Sequence, residues 1–391
     1  MKILHILSSD DQYGSAKSFL ELLVKERQSN DVEPYVVIPR KNKIAEACEK
    51  NEVEYLVVDY EQFQIPKHDN ALIFALKYTA HFLNYCVKNK KAIRKIAIFA
   101  SSKGIDLIHT NSSVIDLGAE LHNKLKIPHV WHLREFGKED FNFYSLKKNT
   151  IQYMNCNTDR FLCISEAMKK NWVERGIDEK KITVICHGVD ASKFTESVDK
   201  PSTVKVNGVM CGSFSKGKGQ HILLEALNQL SEVEKKNIHV DFYGKAEGNY
   251  YETCMKKINE YKLEDVVSIK GFTSSMTEKL TKYNVGFNCS NAEAMGRVTI
   301  EYMLSGLCPV VSQSGANIEI VGDHNCGLMY KNGKTGLTEA LRCLINNPSV
   351  ISKYAQRGSK VAKELYDSNK NIDKIIETFR TEQSLYKNFQ K

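Results

Sequence analysis

Two glutamates, Glu293 and Glu301, stand with seven residues between them around a glycine-containing loop, a pattern suited to binding a phosphate or a sugar. Residues 285–289 form a short apolar run typical of a buried strand, and 297–305 carry apolar residues at helical spacing. Gly296 lets the backbone approach a ligand closely, at a helix N-terminus with unbonded N–H groups. The segment therefore predicts a strand, a ligand-binding loop that holds Glu293 and a helix that holds Glu301.

The segment continues as one βαβ step of a parallel sheet. Gly306 is predicted to end the helix in the left-handed conformation, and 308–312 begin a second buried strand. Ligands of such sheets bind beyond the C-terminal strand ends, so the helix face that holds Glu301 is expected to point towards the same ligand as the loop. The glutamate pair alone is equally compatible with a solvated helix face beside an unrelated loop carboxylate.

A second loop of small and basic residues, 212–219, reads Gly-Ser-Phe-Ser-Lys-Gly-Lys-Gly and lies between a predicted strand and a predicted helix. Small residues allow close approach of a ligand, and Lys216 and Lys218 would neutralise a phosphate. A flexible basic turn has the same composition, so this loop is weak evidence by itself.

In the first half of the chain, polar residues follow the predicted strands 107–109 and 129–132. His132 stands at one of these strand ends, where a histidine is more often structural than functional. Arg134 and Glu135 follow it and are expected to pair with each other or to face a ligand.

Length and composition predict two globular domains with separate cores. The chain has 391 residues, a net charge of +8 and 42% hydrophobic residues, with no apolar run of the roughly 18 residues that a membrane span needs. The eleven cysteines include no C-x-x-C pair, which favours reduced thiols in a cytosolic protein. The positive charge suits anionic partners, but no aromatic-interleaved basic motif indicates nucleic acid.

Strands and helices alternate along the chain, which predicts doubly wound α/β domains. The first domain is expected to span 1–195, and after a polar linker the alternation restarts, giving a second domain at 200–370. Three helical stretches are predicted after Pro348, the last of them forming a C-terminal helix at 371–391.

Glu293, the seven residues to Glu301, Gly306 and the apolar run 309–311 resemble the donor-site signature of retaining glycosyltransferases of family 4. The resemblance runs from Met1 to about residue 330. It implies the GT-B fold, with two Rossmann-like doubly wound parallel-sheet domains facing an interdomain cleft. The N-terminal domain would bind the acceptor, the C-terminal domain the nucleotide sugar, and the last helix would return to the N-terminal domain.

The substitutions relative to the family pattern concern its phosphate clamp and its glycine turns. In the Gly-Arg-Leu…Lys-Gly element of the family, Lys218 matches the lysine, Ser213 stands where the arginine is expected, and Lys216 is the candidate substitute. Residues 314–321 resemble the Gly-Gly-x-Pro-Glu-x-Val segment, with Ser314 in place of the first glycine. Gly14 and Ser15 resemble the N-terminal Gly-Gly turn.

The resemblance implies a retaining, metal-independent transfer of a hexosyl group from a nucleotide diphosphate sugar, with uridine as the expected base, to an acceptor hydroxyl. The expected setting is the synthesis of a cell-surface polysaccharide, glycolipid or other glycoconjugate, with no cofactor and no metal. His132, Glu293 and Lys218 are the expected catalytic residues. The expected donor-binding residues are Gly14, Ser15, Gly212, Lys216, Lys218, Glu293, Ala294, Met295, Gly296, Arg297, Val298 and Glu301.

Two other functions fit the same fold. A sugar-nucleotide 2-epimerase would also bind a nucleotide sugar, but it needs a positioned acid and base that the Glu–x7–Glu signature fits poorly. A catalytically silent GT-B subunit that docks a partner transferase is favoured slightly by the Ser213 and Ser314 departures. It is opposed more strongly by the retained residues Glu293, Glu301, Lys218 and His132.

The basic stretch 77–103 predicts a peripheral contact with an anionic membrane. No acidic residue lies between Asp69 and Asp106, and the seven basic residues there are interleaved with apolar ones. We therefore expect a cytoplasmic enzyme at the inner face of the membrane, acting on a glycan, lipid-linked or protein acceptor. A packed helix with a solvated basic rim would give the same pattern.

Overall fold

The computed structural model describes residues 1–8, 14–68, 70–137, 142–194 and 205–389, which form two compact units. Unit 1 comprises Met1–His187 and Asn369–Lys391, and unit 2 comprises Gly188–Ser368. The linker predicted between 195 and 200 lies outside the described residues.

Unit 1 is built on a seven-stranded parallel sheet in the order β3-β2-β1-β5-β6-β8-β9. Its strands are β1 (Lys2–Leu7), β2 (Glu33–Ile38), β3 (Tyr55–Val57), β5 (Leu107–Asn111), β6 (His129–Leu133), β8 (Arg160–Cys163) and β9 (Ile182–Val184). A separate antiparallel pair, β4 (Gln64–Pro66) and β7 (Phe143–Ser145), joins residues 79 positions apart at Ile65 and Tyr144.

Helices cover both faces of the unit 1 sheet. They are α1 (Gly14–Gln28), α2 (Lys43–Lys50), α3 (Ala71–Lys103), α4 (Leu117–Leu125), α5 (Thr150–Cys156), α6 (Glu166–Glu174) and the last helix of the chain, α14 (Ser368–Phe389). On one face, Phe19 of α1 and Phe379 of α14 are fully buried in a core with Ile3 and Leu107. On the other face, Ile96 of α3 and Leu121 of α4 pack against Ile6 and Ile108.

Unit 2 repeats this plan with a six-stranded parallel sheet in the order β12-β11-β10-β13-β14-β15. Its strands are β10 (Val206–Cys211), β11 (Ile238–Tyr243), β12 (Val267–Gly271), β13 (Val285–Asn288), β14 (Cys308–Ser312) and β15 (Leu328–Tyr330). Its helices are α7 (Gln220–Asn228), α8 (Glu232–Lys235), α9 (Asn249–Glu260), α10 (Met276–Leu280), α11 (Arg297–Leu304), α12 (Lys334–Asn346) and α13 (Ser349–Leu365).

The two parallel-sheet α/β units confirm the predicted fold class, and the step β13–α11–β14 confirms the βαβ prediction. Gly306 follows α11 with φ of 66°, as its predicted C-terminal role requires. Two local predictions were wrong. Up to residue 389 the described chain has two helices after Pro348 rather than three, and α1 already begins at Gly14, where a turn was predicted.

Candidate active site

The loop between β13 and α11 has the shape that its glycine dictates. Gly296 precedes α11 with φ of 72°, in the left-handed region, and a Cβ on it would lie 2.3 Å from Cδ1 of Ile320. A side chain at this position would therefore be strained and would clash. The loop leads directly into the N-terminus of α11, where the N–H groups carry a partial positive charge.

Glu293 is held in this loop as a fixed carboxylate. Its Oε1 accepts a hydrogen bond from the Gly296 N–H at 3.1 Å, and its Oε2 accepts one from Nδ2 of Asn288 at 3.2 Å. The Nζ atom of Lys218 lies 3.5 Å from the same Oε2. Burial alone would raise the pKa of Glu293, but Lys218, Asn288, Ser290 and the Gly296 N–H together lower it. Glu293 is therefore ionised near neutral pH.

The basic loop 212–219 brings Lys218 to this carboxylate. Lys218 ends a short 3₁₀ helix (Lys216–Lys218), and its Nζ also donates to Oγ of Ser290 at 3.4 Å. The next residue, Gly219, has φ of 75°, and a Cβ there would lie 2.2 Å from the carbonyl oxygen of Cys289, the residue that follows β13. The Lys218 side chain is 42% exposed. The accessible ammonium group of Lys218 therefore lies beside the loop that leads into the N-terminus of α11.

Lys216, the predicted substitute for the missing arginine, has an exposed side chain. Its charge acts on His221, whose pKa is lowered first by burial and then, against the opposing effect of Glu225, by Lys257 and Lys216. Ser213, at the arginine position, accepts a hydrogen bond through its backbone oxygen from Nε2 of Gln220 at 3.1 Å. A role for Lys216 in phosphate binding stays a prediction.

Glu301 lies inside α11, as predicted, but it is engaged by its own helix. Nε of Arg297 lies 3.1 Å from Oε1 of Glu301, one turn along, and the two side chains are only 16% and 19% exposed. The carboxylate that is expected to bind the ribose is therefore already paired with a guanidinium group. Among the neighbouring predicted donor residues, Met295 is buried. Val298 packs against a buried cluster that includes Leu280 and Tyr302.

Three buried polar residues that the sequence did not single out form a hydrogen-bonded network with Glu293. They are Asn288, Thr299 and Asn317. Nδ2 of Asn288 donates to Oγ1 of Thr299 at 2.9 Å, and Oγ1 of Thr299 donates to Oδ1 of Asn317 at 3.1 Å. Ser314 replaces a family glycine, and its hydroxyl donates to the carbonyl oxygen of Ser290 at 2.6 Å. The sequence does carry one sign of this network, because a polar residue such as Asn288 stands at the end of an otherwise apolar strand.

Tyr302 connects the two loops through the core. Its hydroxyl accepts a hydrogen bond from the Cys211 N–H at 2.7 Å and donates to the carbonyl oxygen of Phe287 at 3.3 Å. Gly286 makes room for the ring, since a Cβ there would lie 2.3 Å from it. The helix that carries Glu301 is thereby fixed to the strand that leads into the lysine loop.

In unit 1, His132 is fully buried at the end of β6, and its Nδ1 lies 3.3 Å from Nε2 of His109. Burial, followed by the charge of Arg134, lowers the pKa of His132 well below its usual value, so its imidazole is neutral. Nε of Arg134 donates to Oδ1 of Asn111 at 2.7 Å, while Glu135 accepts from the Ser113 N–H at 2.7 Å. The burial of the predicted donor residue Gly14 and the side chain of Ser15 lie outside the described part of the chain.

The described residues contain no cluster of three or more His, Cys, Asp or Glu side chains arranged to hold a metal ion. Within the same residues, every helix is too short or too polar to cross a membrane.

Comparison with known proteins places both halves of the chain among sugar transferases. The family model described as glycosyltransferase family 4 matches residues 19–193, and the model described as glycosyl transferases group 1 matches residues 196–364. An uncharacterized glycosyltransferase of Methanocaldococcus jannaschii, MJ1178, is 26% identical over 330 residues, covering 80% of this chain and 86% of that protein.

A second relative and one solved structure extend the comparison. Poly(glycerol-phosphate) alpha-glucosyltransferase of Bacillus subtilis is 22% identical over 240 residues, which cover 60% of this chain and 34% of that protein. The crystal structure of Anabaena Alr3699/HepE in complex with UDP superposes with a TM-score of 0.79, at 19% identity, over 97% of this chain and 100% of that chain.

The fold and these matches define the protein as a GT-B glycosyltransferase. Within that class it is a family 4-like glycosyltransferase, because the two family models together account for both α/β units.

Proposed function

We propose that the protein is a retaining hexosyltransferase that moves a hexosyl group from a UDP-sugar to an acceptor hydroxyl without a metal ion. The observation that carries the proposal is the Lys218–Glu293 pair at the N-terminus of α11, with 3.5 Å between Nζ and Oε2. Lys218 and the helix N-terminus supply positive charge for a diphosphate. The structural neighbour HepE is described in complexes with UDP and with UDP-glucose, which supports this donor class.

In the proposed reaction, negative charge develops on the departing diphosphate, and fixed donors at that position lower the barrier. Lys218 takes this role because Glu293 and Ser290 hold its ammonium group before the substrate binds. Glu293, ionised and anchored by the Gly296 N–H, accepts hydrogen bonds from the sugar hydroxyls. In the retaining course that the family resemblance implies, a phosphate oxygen of the leaving group takes the proton of the acceptor hydroxyl. His132, as a neutral imidazole, orients hydroxyls of the transferred sugar.

Incubation of the protein with a panel of nucleotide sugars tests this proposal and separates the alternatives. A transferase releases UDP in proportion to the glycosylated acceptor, with the anomeric configuration retained in the NMR spectrum of the product. An epimerase converts the donor sugar without any acceptor, whereas a silent subunit turns over no donor. Activity that disappears with EDTA and returns with Mg²⁺ would contradict the metal-independent part.

Replacing Glu301 with alanine should weaken the binding of UDP itself by about 10- to 150-fold, because charge-assisted hydrogen bonds to the ribose are worth roughly 1.5–3 kcal/mol. Titration calorimetry with UDP measures the change. Glu364→Ala, at an exposed position of α13 in the same unit, is the matched control. An unchanged affinity of the Glu301 variant would show that this carboxylate does not bind the nucleotide.

We further propose that α3 places the enzyme on an anionic membrane surface. The structure changes the expectation for the basic stretch, because Lys88 pairs with Glu61 and Asp59 at 2.7 and 3.0 Å, and Lys103 pairs with Glu54 at 2.7 Å. These two lysines are neutralised within the protein. The basic residues of α3 whose side chains are exposed are Lys77, Lys90, Lys91, Arg94 and Lys95.

Exposed apolar side chains give α3 the second component of a membrane contact. Leu72, Leu76, Leu83 and Val87 are 72%, 66%, 59% and 55% exposed. At 3.6 residues per turn they project within about 60° of one another, and Lys90 and Arg94 continue the same stripe. An apolar stripe followed by a basic one suits a helix that enters the interface of an anionic bilayer.

Sedimentation with vesicles tests this contact. The protein should bind vesicles that contain anionic lipid at low salt and should be released as salt is raised. The double variant Lys90→Glu and Arg94→Glu should lose at least about 30-fold in affinity, from roughly 1 kcal/mol per basic residue. The pair Leu76→Asp and Leu83→Asp should also lose binding, whereas Val233→Asp, at a position 71% exposed in unit 2, should not. Failure of the wild-type protein to sediment with anionic vesicles at low salt would contradict the proposal.

A further inference from the structure

A row of buried titratable side chains runs from α1 across three neighbouring strands of unit 1 to His132. Oε2 of Glu26 lies 2.9 Å from Nε2 of His5, and both side chains are fully buried. Nδ1 of His5 lies 2.8 Å from Nδ1 of His109, and Nε2 of His109 lies 3.3 Å from Nδ1 of His132. The proposed donor mechanism uses the last member of this row and leaves the other three unexplained.

The row is enclosed by aromatic rings. The ring of Phe19 from α1 lies edge-on to His5 at 5.3 Å, and the ring of Phe379 from α14 lies 5.0 Å from that of His109. A glutamate in such an apolar environment is costly unless it is paired, and His5 is the partner that the described contacts give its carboxylate. The charge of the Glu26 carboxylate therefore favours a proton on the facing Nε2 of His5, although the two atoms do not meet at hydrogen-bond geometry.

The contacts of the row give its protons a direction when every imidazole in it is neutral. Each of the two histidine–histidine contacts holds one proton, and each neutral imidazole has one N–H and one bare nitrogen. The charge of an ionised Glu26 places the proton of His5 on Nε2, which faces the carboxylate, so Nδ1 of His5 accepts. His109 then donates through Nδ1 and accepts at Nε2, which leaves His132 to donate through Nδ1.

At the end of the row, Nε2 of His132 is buried and has no hydrogen-bond partner among the described residues. Resting on the proposed role of His132, we propose that Glu26 is a positioning residue. Through His5 and His109 it holds His132 in the Nδ1–H tautomer, so that Nε2 is a hydrogen-bond acceptor for a hydroxyl of the substrate.

The charged groups around the row favour this proton arrangement. Burial lowers the pKa of His109 well below its usual value, and the charge of Arg134 acts in the same direction. Arg134 remains charged at every accessible pH, so its positive charge opposes an additional proton on His109 or His132.

The tautomers can be read directly from the nitrogen chemical shifts of the histidines, with ¹⁵N-histidine incorporated into the full chain and each signal assigned by single substitutions. The expected result in the wild type is Nε2–H for His5 and Nδ1–H for both His109 and His132. This pattern is distinctive because an imidazole in water prefers the Nε2–H form. An Nε2–H signal for His132 in the wild-type protein would overturn the proposal without the need for a variant.

Glu26→Leu removes the acceptor at the start of the row while filling an apolar site. We expect His132 to lose its Nδ1–H preference, and kcat for sugar transfer to fall by about 10- to 100-fold, as when the partner that orients a functional histidine is lost. Glu21→Leu is the matched control on the same helix, since Glu21 lies 4.0 Å from His187 and outside the row. It should leave the tautomer of His132 unchanged.

The two readouts separate this inference from the function on which it rests. A persistent Nδ1–H form of His132 in Glu26→Leu would overturn the positioning role, whatever the activity. The expected tautomers together with an unchanged rate in His132→Ala would uphold the row and contradict the catalytic role of His132.

Discussion

Replacing Lys218 with alanine is expected to lower kcat for sugar transfer by about 10²- to 10³-fold, the loss typical of removing one preorganised donor from a site of developing negative charge. Glu293 and Ser290 hold the ammonium group in place, so the enzyme spends little free energy on reorganising it during the reaction. The effect should fall on kcat because the charge on the leaving phosphate grows in the transition state.

Single-turnover measurements with saturating donor isolate this step from product release. Lys216→Ala should have a smaller effect, and the double variant should be slower than Lys218→Ala if Lys216 shares the work of the missing arginine. Equal rates for Lys218→Ala and the double variant would show that Lys216 does not take part. A rate within threefold of wild type in Lys218→Ala would remove Lys218 from the mechanism. Glu293 keeps Asn288 and the Gly296 N–H as partners, so the variant should remain folded.

The α/β character of both units could be predicted because each buried parallel strand is a short apolar run followed by a turn and an amphipathic helix. The run 285–289, Gly296 and Gly306 specify β13, the loop and the end of α11 by local chemistry alone. Such features need no knowledge of distant residues, and the structure confirmed them.

Other parts of the fold depend on residues that are remote in sequence. The strands β4 and β7 have three residues each, too few to show a period, and they exist because the chain brings Ile65 to Tyr144. The 33-residue helix α3 was only partly predicted, because its long exposed apolar stripe blurs the usual contrast between a buried and a solvated face.

The site shows the same division between local and tertiary information. Family resemblance marked Glu293, Glu301 and Lys218, but sequence spacing gives no distance between Lys218 and Glu293, which are 75 positions apart. Nor does it reveal that Arg297 pairs with Glu301. The buried partners Asn288, Thr299 and Asn317 come from three separate segments, and only the folded chain brings their polar atoms within hydrogen-bonding distance.

Replacing Glu293 with glutamine is expected to destabilise the protein by about 1–3 kcal/mol, the usual cost of leaving a buried donor without its acceptor. The carboxylate accepts on both sides, from the Gly296 N–H at Oε1 and from Asn288 and Lys218 at Oε2. A glutamine amide satisfies one side only, because its NH₂ group then faces a donor on the other. Urea unfolding at pH 7 measures the loss, and Glu260→Gln, at an exposed position of α9, is the control.

The stability difference between wild type and Glu293→Gln should also depend on pH with a defined sign. The pKa of Glu293 is lowered in the folded protein, so the unfolded chain takes up its proton first as pH falls below about 4.3. The stabilisation from the carboxylate is therefore complete above that pH and is lost as pH falls through the lower folded pKa. Other carboxylates titrate in both proteins and cancel in the difference, so the difference in unfolding free energy between wild type and Glu293→Gln should narrow on acidification. A gap independent of pH would mean that Glu293 is not held as a carboxylate, and the loop would then lack the charge that fixes Lys218 for the leaving diphosphate.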